Sequence, residues 1–229
     1  MPATPPDAHH AQRIALLAGT TGLIGRALLP LLLESPHYAR VHALLRRSAP
    51  SLSTSEKLVL HSVDFNALPP MPPVDDVFIA LGTTIKVAGS EAAFRHVDFD
   101  AVVNTARAAR AAGATRLAVV SALGADAGSR VFYNRVKGEM QQAVSDLGYA
   151  SVVIAQPSLL AGDRSALGQP TRPGEVWTLR LLRPVMGLVP AAVRPIAAST
   201  VAHALLRAMH EARPGVRLLR SGQMQAAQG

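Results

Sequence analysis

Tyr133 and Lys137 lie four residues apart in Phe132-Tyr-Asn-Arg-Val-Lys-Gly138, a stretch that reads as helix. At that spacing two side chains share one helix face, about 6 Å apart along the axis. A lone phenol, with an ordinary pKa of about 10, is a poor proton donor and acceptor near neutrality. An ammonium one turn away favours the phenolate, which makes the pair a workable general acid for reducing a carbonyl. Ser121, at the end of an apolar strand-like run, offers a hydroxyl that could hold the carbonyl oxygen. Any helix can carry Tyr-x-x-x-Lys by chance. What gives it meaning here is Ser121 just upstream and a second constellation near the start of the chain.

That second constellation is Gly19-Thr20-Thr21-Gly22-Leu23-Ile24-Gly25, directly after the apolar run Ile14-Ala-Leu-Leu17. A strand entering a glycine-spaced turn that opens a helix presents bare N–H groups where a pyrophosphate can sit. Gly19 would make the turn, Gly22 would admit phosphate to the backbone, and Gly25 would let helix and strand pack closely. The spacing departs from G-x-G-x-x-G by one residue in its first gap. Downstream, Leu45-Arg46-Arg47-Ser48 stands where an NAD site usually carries Asp or Glu for the ribose hydroxyls. Two guanidiniums and a hydroxyl there suit a 2′-phosphate, so NADP(H) is favoured over NAD(H). The bland alternative is an exposed basic loop. Asp64 could accept from an adenine amino group with Phe65 packed beside it, or could simply end a strand. Leu81-Gly82-Thr83, after the fourth strand, suits a loop passing under a ribose and phosphate, and equally an ordinary glycine turn.

Positioning these groups requires strands and helices in alternation. Strands are expected at about 13–18, 41–45, 57–61, 76–80, 116–120 and 151–155, with a last one near 216–220. Helices are expected at about 22–34, with Pro30 as a kink site, then 90–112, 131–147, 175–186 and 198–211. Short apolar strands between helices imply a parallel sheet covered on both faces. With right-handed crossovers the expectation is a doubly wound, Rossmann-type α/β fold with a small C-terminal substrate-side lobe. Residues 13–220 make one domain, with substrate-side elements at about 157–200. Residues 1–12 and 221–229 read as loose tails.

Composition sets the outer limits. The chain has 229 residues, 49% of them hydrophobic, which is enough for one packed α/β domain. Its net charge of +8 comes almost wholly from arginine. The arginines are scattered and aromatics are few, which weighs against nucleic acid as a partner. There is no cysteine, so disulfides and thiolate chemistry are excluded. The N-terminal segment lacks the basic and apolar regions of a secretory signal, and no apolar run reaches membrane-spanning length. A cytoplasmic protein with no membrane partner is the expectation. The eight histidines show no metal-ligand spacing, and no metal is assigned. Asp163-Arg164 borders a substrate pocket or pairs within a loop, and the Ala-rich stretch 90–112 offers a homodimer face.

The glycine turn, Ser121 and Tyr133-x-x-x-Lys137 together resemble the short-chain dehydrogenase/reductase superfamily. With Ser121-Ala-Leu-Gly-Ala-Asp126 and Gln156-Pro-Ser158 added, the chain is similar to its atypical and extended branches, in particular the Tat-interacting oxidoreductase-like group. The resemblance covers about residues 13–160. It implies NADP(H) binding, with Tyr133 as proton donor, Lys137 on the nicotinamide ribose, Ser121 as substrate anchor and Pro157 beside the cofactor. The superfamily often adds a relay Asn before the fifth strand. Asp98 stands near that position and Asn104 lies too far along, so no relay Asn is assigned. The expected activity is hydride transfer between NADP(H) and a small carbonyl or alcohol substrate. The alternatives are an NADP(H)-binding regulatory or interaction protein without turnover, and a sugar-type epimerase or dehydratase.

Overall fold

The first strand sets the plan. In β1 (Arg13–Ala18), Ala15 and Leu17 are buried on one face of the sheet and Leu16 and Ala18 on the other. A strand buried on both faces needs helices above and below it. The computed structural model describes residues 12–46, 55–161 and 193–226. Within them seven parallel strands form one sheet in the order β3-β2-β1-β4-β5-β6-β9. These are β2 (Tyr38–Leu45), β3 (Leu58–Ser62), β4 (Asp76–Ile79), β5 (Arg116–Val120), β6 (Ser151–Gln156) and β9 (Gly215–Arg220). A separate two-residue pair, β7 (Leu160–Ala161) and β8 (Ile196–Ala197), lies beyond β6. The order reverses between β1 and β4, and ligands of open α/β sheets bind outside the strand ends at that point.

Two apolar layers hold the helices. Leu28, Leu29 and Leu32 of α1 (Leu23–Glu34) pack with Val201, Leu205 and Met209 of α6 (Ala198–Glu211) over Phe78, Ala118 and Val153. On the other face, Val102 and Ala106 of α4 (Ala101–Ala111) pack with Met140 and Val144 of α5 (Phe132–Ser145) over Val77, Leu117 and Ile154. Alternate residues of β4, β5 and β6 thus serve opposite layers, as period-2 geometry requires. The doubly wound Rossmann-type expectation therefore holds.

Three local differences have physical causes. α1 continues through Pro30, which stands on its exposed side. The stretch expected as one helix over 90–112 is broken. After the short α2 (Ile85–Ala88), α3 (Glu91–Arg95) passes into a π-helical turn at His96–Asp100 before α4 begins. A π turn inserts an extra residue and re-aims its side chains, and such turns gather at functional sites. The expected C-terminal tail is corrected at residues 221–226, which form α7 (Ser221–Ala226), with Ser221 and Met224 buried against the domain. Arg47, Ser48, Asp163, Arg164, the expected helix at 175–186 and nearly all of the N-terminal tail fall outside the described residues.

Candidate active site

The glycine turn is built from close backbone contacts. Gly19 has φ +93°, and a Cβ there would stand 2.5 Å from the carbonyl carbon of Ala80. A Cβ on Gly25 would stand 2.0 Å from the Gly19 carbonyl oxygen. Both positions therefore demand glycine, one for its conformation and both for space. The Gly22 N–H donates to the Gly19 oxygen at 3.1 Å and closes the turn. Gly22 is also the N-cap of α1, and no side chain caps the helix. The first N–H groups of α1 thus have no side-chain acceptor of their own, which is the arrangement an anion completes.

A cavity of about 690 Å³ opens beside this turn. Gly19, Thr20, Thr21 and Gly22 line it together with Arg46, Asp64 and Phe65. Thr20 is fully buried, and its hydroxyl has no hydrogen-bond partner among the described residues. The orphaned hydroxyl, the uncapped helix and the glycine cradle fit a dinucleotide. Asp64 also forms the turn that was its alternative reading, since its carboxylate accepts from the Asn66 N–H at 2.9 Å. Arg26 was not singled out from sequence, yet it lines the same cavity, with its guanidinium on the Thr21 carbonyl at 3.1 Å. A cation in the first turn of a helix opposes the helix dipole, and that is the signal in the sequence that could have singled it out.

A second cavity, of about 500 Å³, adjoins the first. Gly22, Leu81, Gly82 and Thr83 line both. Leu23 and Ile24 face this second cavity, and Gly25 lies beneath the turn, supporting its shape without lining either space. Ser121, Tyr133, Lys137 and Pro157 all line it, so the three catalytic candidates meet at one place. α5 reaches the site because Gly138 lets it approach the loop after β5. A Cβ there would be 2.1 Å from the Ala127 nitrogen. The Tyr133 ring rests against Phe94, with centroids 5.3 Å apart.

Asp98 and Gln141 contact the candidate catalytic residues. Asp98, carried inward by the π turn, is fully buried, and one carboxylate oxygen lies 2.7 Å from Lys137 Nζ. Its other oxygen accepts from the Thr83 N–H at 2.8 Å. The ammonium, expected beside the phenol and on a cofactor ribose, thus also has a carboxylate partner, and Asp98 ties α5 to the loop after β4. Asn104 donates to the Phe65 carbonyl at 3.4 Å. Gln141, one turn beyond Lys137, donates from Nε2 to the Ser121 hydroxyl at 2.6 Å. Gln156 in turn donates to Gln141 Oε1 at 3.3 Å.

Comparisons with known proteins agree with this geometry. A family model described as NAD(P)H-binding matches residues 19–160. The chain is 34% identical over 167 residues to "Protein fmp52, mitochondrial" of Emericella nidulans, covering 69% of this chain and 70% of that protein. It is 36% identical over 181 residues to the protein of the same name in Aspergillus fumigatus, covering 76% and 75%. These relatives are called mitochondrial, and that overturns the cytoplasmic expectation. The absence of cysteine suits any reducing compartment, so it never singled out the cytoplasm. Among solved structures, the fold is similar to UDP-glucose 4-epimerase of Thermotoga maritima, with a TM-score of 0.68 and 15% identity over 91% of this chain and 77% of that one. It is also similar to a short chain dehydrogenase family protein of Francisella tularensis, with a TM-score of 0.64 and 13% identity over 94% and 100%. With its glycine cradle and its matched residues, the chain belongs to the NAD(P)H-binding family.

Proposed function

We propose that the protein is an NADP(H)-dependent oxidoreductase acting on a small carbonyl or the corresponding alcohol. The observation that carries this reading is that two cavities adjoin and share lining residues. The glycine cradle and Arg46 stand at one end, and Ser121, Tyr133 and Lys137 at the other. The bound nicotinamide would supply a hydride to the carbonyl carbon. The protein supplies the rest: Ser121 donates a hydrogen bond to the carbonyl oxygen, and the Tyr133 hydroxyl gives that oxygen its proton. The carbonyl would thereby gain a hydride and a proton and become an alcohol. Lys137, anchored by Asp98, would hold a ribose hydroxyl beside Tyr133 on the same helix. Arg46, with Arg47, favours a 2′-phosphate.

Deuterium at the transferable position of NADPH, followed into product across a panel of aldehydes and ketones, tests this reading. Label in the alcohol carbon of at least one product supports it. Tight NADPH binding with no transfer to any carbonyl would point instead to a protein that binds the cofactor without turnover.

A further inference from the structure

We infer that Gln141 is a positioning residue that fixes the Ser121 hydroxyl as a hydrogen-bond donor into the catalytic cavity. The inference rests on the carbonyl reading above and names the residue that makes Ser121 serve it. Ser121 is 4% exposed and lines the cavity. A hydroxyl has one proton to give and two lone pairs to offer, and in a buried site its orientation is set by its neighbours. Here the Gln141 amide nitrogen donates to Ser121 Oγ at 2.6 Å, so one lone pair is occupied from behind. The Ser121 proton is left to point into the cavity, where a carbonyl oxygen can accept it.

The polarity is maintained one step further back. Gln141 could present either its oxygen or its nitrogen to Ser121. Gln156, buried at the end of β6, donates to Gln141 Oε1 at 3.3 Å and keeps that oxygen turned away from the serine. The chain therefore runs in one direction, Gln156 to Gln141 to Ser121 to ligand. Tyr133, Lys137 and Gln141 fall at successive four-residue steps of α5, so a single helix carries the acid, its cation and the residue that aims the serine. The ligand favoured beside Ser121 is an acceptor, a carbonyl oxygen, rather than a donor such as an ammonium.

Two substitutions separate aiming from mere packing. Gln141→Leu removes the donor, and kcat/KM for carbonyl reduction should fall about tenfold, with NADPH affinity unchanged. Gln141→Glu reverses the polarity, because a carboxylate only accepts and takes the Ser121 proton for itself. A fall of about a hundredfold is expected at neutral pH, the scale of losing a donor to a developing oxyanion. The loss should shrink as pH drops toward about 5, since the protonated carboxyl can again donate to Oγ. In a Ser121→Ala background neither substitution should cost anything further. Losses below twofold at every pH, or full losses that persist without Ser121, would overturn the inference. A readout free of turnover accompanies these. In ¹⁵N-glutamine-labelled protein, the side-chain amide signal that disappears in Gln141→Leu should shift in Ser121→Ala. An unmoved signal would overturn the inference even if the enzyme is active. If wild type reduces no carbonyl, the oxidoreductase reading fails, and the amide signal alone decides whether Gln141 holds Ser121.

Discussion

Replacing Asp98 with alanine should unfold this protein far more readily than its single lost side chain suggests. Asp98 is fully buried and Lys137 is 3% exposed, and their charged atoms lie 2.7 Å apart. Solvent therefore screens the pair very little. Removing the carboxylate leaves an ammonium buried without a counter-charge, which costs roughly 3–5 kcal/mol. The Thr83 N–H loses its acceptor as well, for about 1 kcal/mol more. Asp98→Ala should thus lose about 4–6 kcal/mol, and Tm should fall by roughly 10–20 °C for a domain of this size. Urea unfolding at neutral pH, with and without NADPH, measures the loss. The double variant Asp98→Leu/Lys137→Met removes both charges and should recover much of it, because replacing a whole buried pair by apolar groups is close to neutral. A loss under about 1 kcal/mol for Asp98→Ala, the scale of an exposed ion pair, would refute the buried-pair reasoning.

Gly25→Ala should abolish NADPH binding and sharply destabilise the fold, because its Cβ would sit 2.0 Å from the Gly19 oxygen; a variant that binds NADPH normally in a fluorescence titration contradicts this. Arg46→Ala with Arg47→Ala should weaken NADPH much more than NADH, and equal weakening of both would remove the 2′-phosphate assignment. His42 and His210 are both held below the ordinary histidine range, first by burial and then by the neighbouring His61 and His37 respectively. The unfolded chain then binds their protons more readily, so stability is full above about pH 6.5 and should decline as pH falls below it. Urea midpoints measured from about pH 8 to pH 5 check the slope, and a flat profile in wild type would contradict it.

Much of the fold was legible because burial on both faces of a parallel sheet leaves continuous apolar runs such as Leu16-Leu17-Ala18 and Leu117-Ala-Val-Val120. Helix ends were legible where glycine adopts a left-handed turn, as at Gly113 and Gly148. The glycine cradle and the Tyr133–Lys137 spacing were legible because each depends on local geometry. Asp98 was weighed only as a stand-in for a relay Asn, and its true partner was missed. Phe94, Asp98, Val102 and Ala106 recur every four residues and all are buried. A carboxylate on that stripe had to be paired. The partner, Lys137, lies far along the chain, and nothing local names it. Gln141 was missed for the same reason, since its role depends on β5 and α5 meeting across the sheet edge. Ser221 and Met224 show the reverse failure: a polar, low-complexity ending looked loose, yet tertiary contacts bury one residue on each turn of α7.

The central claim is that an NADP(H) seat adjoins a proton donor at Tyr133. Single-turnover oxidation of bound NADPH by a carbonyl panel, for wild type and Tyr133→Phe with NADPH affinity measured alongside, tests it most directly. The expected result is comparable NADPH affinity in both proteins, oxidation by wild type, and a loss of at least about a hundredfold in the variant. Oxidation by Tyr133→Phe at the wild-type rate, or failure of wild type to bind NADPH, would contradict it.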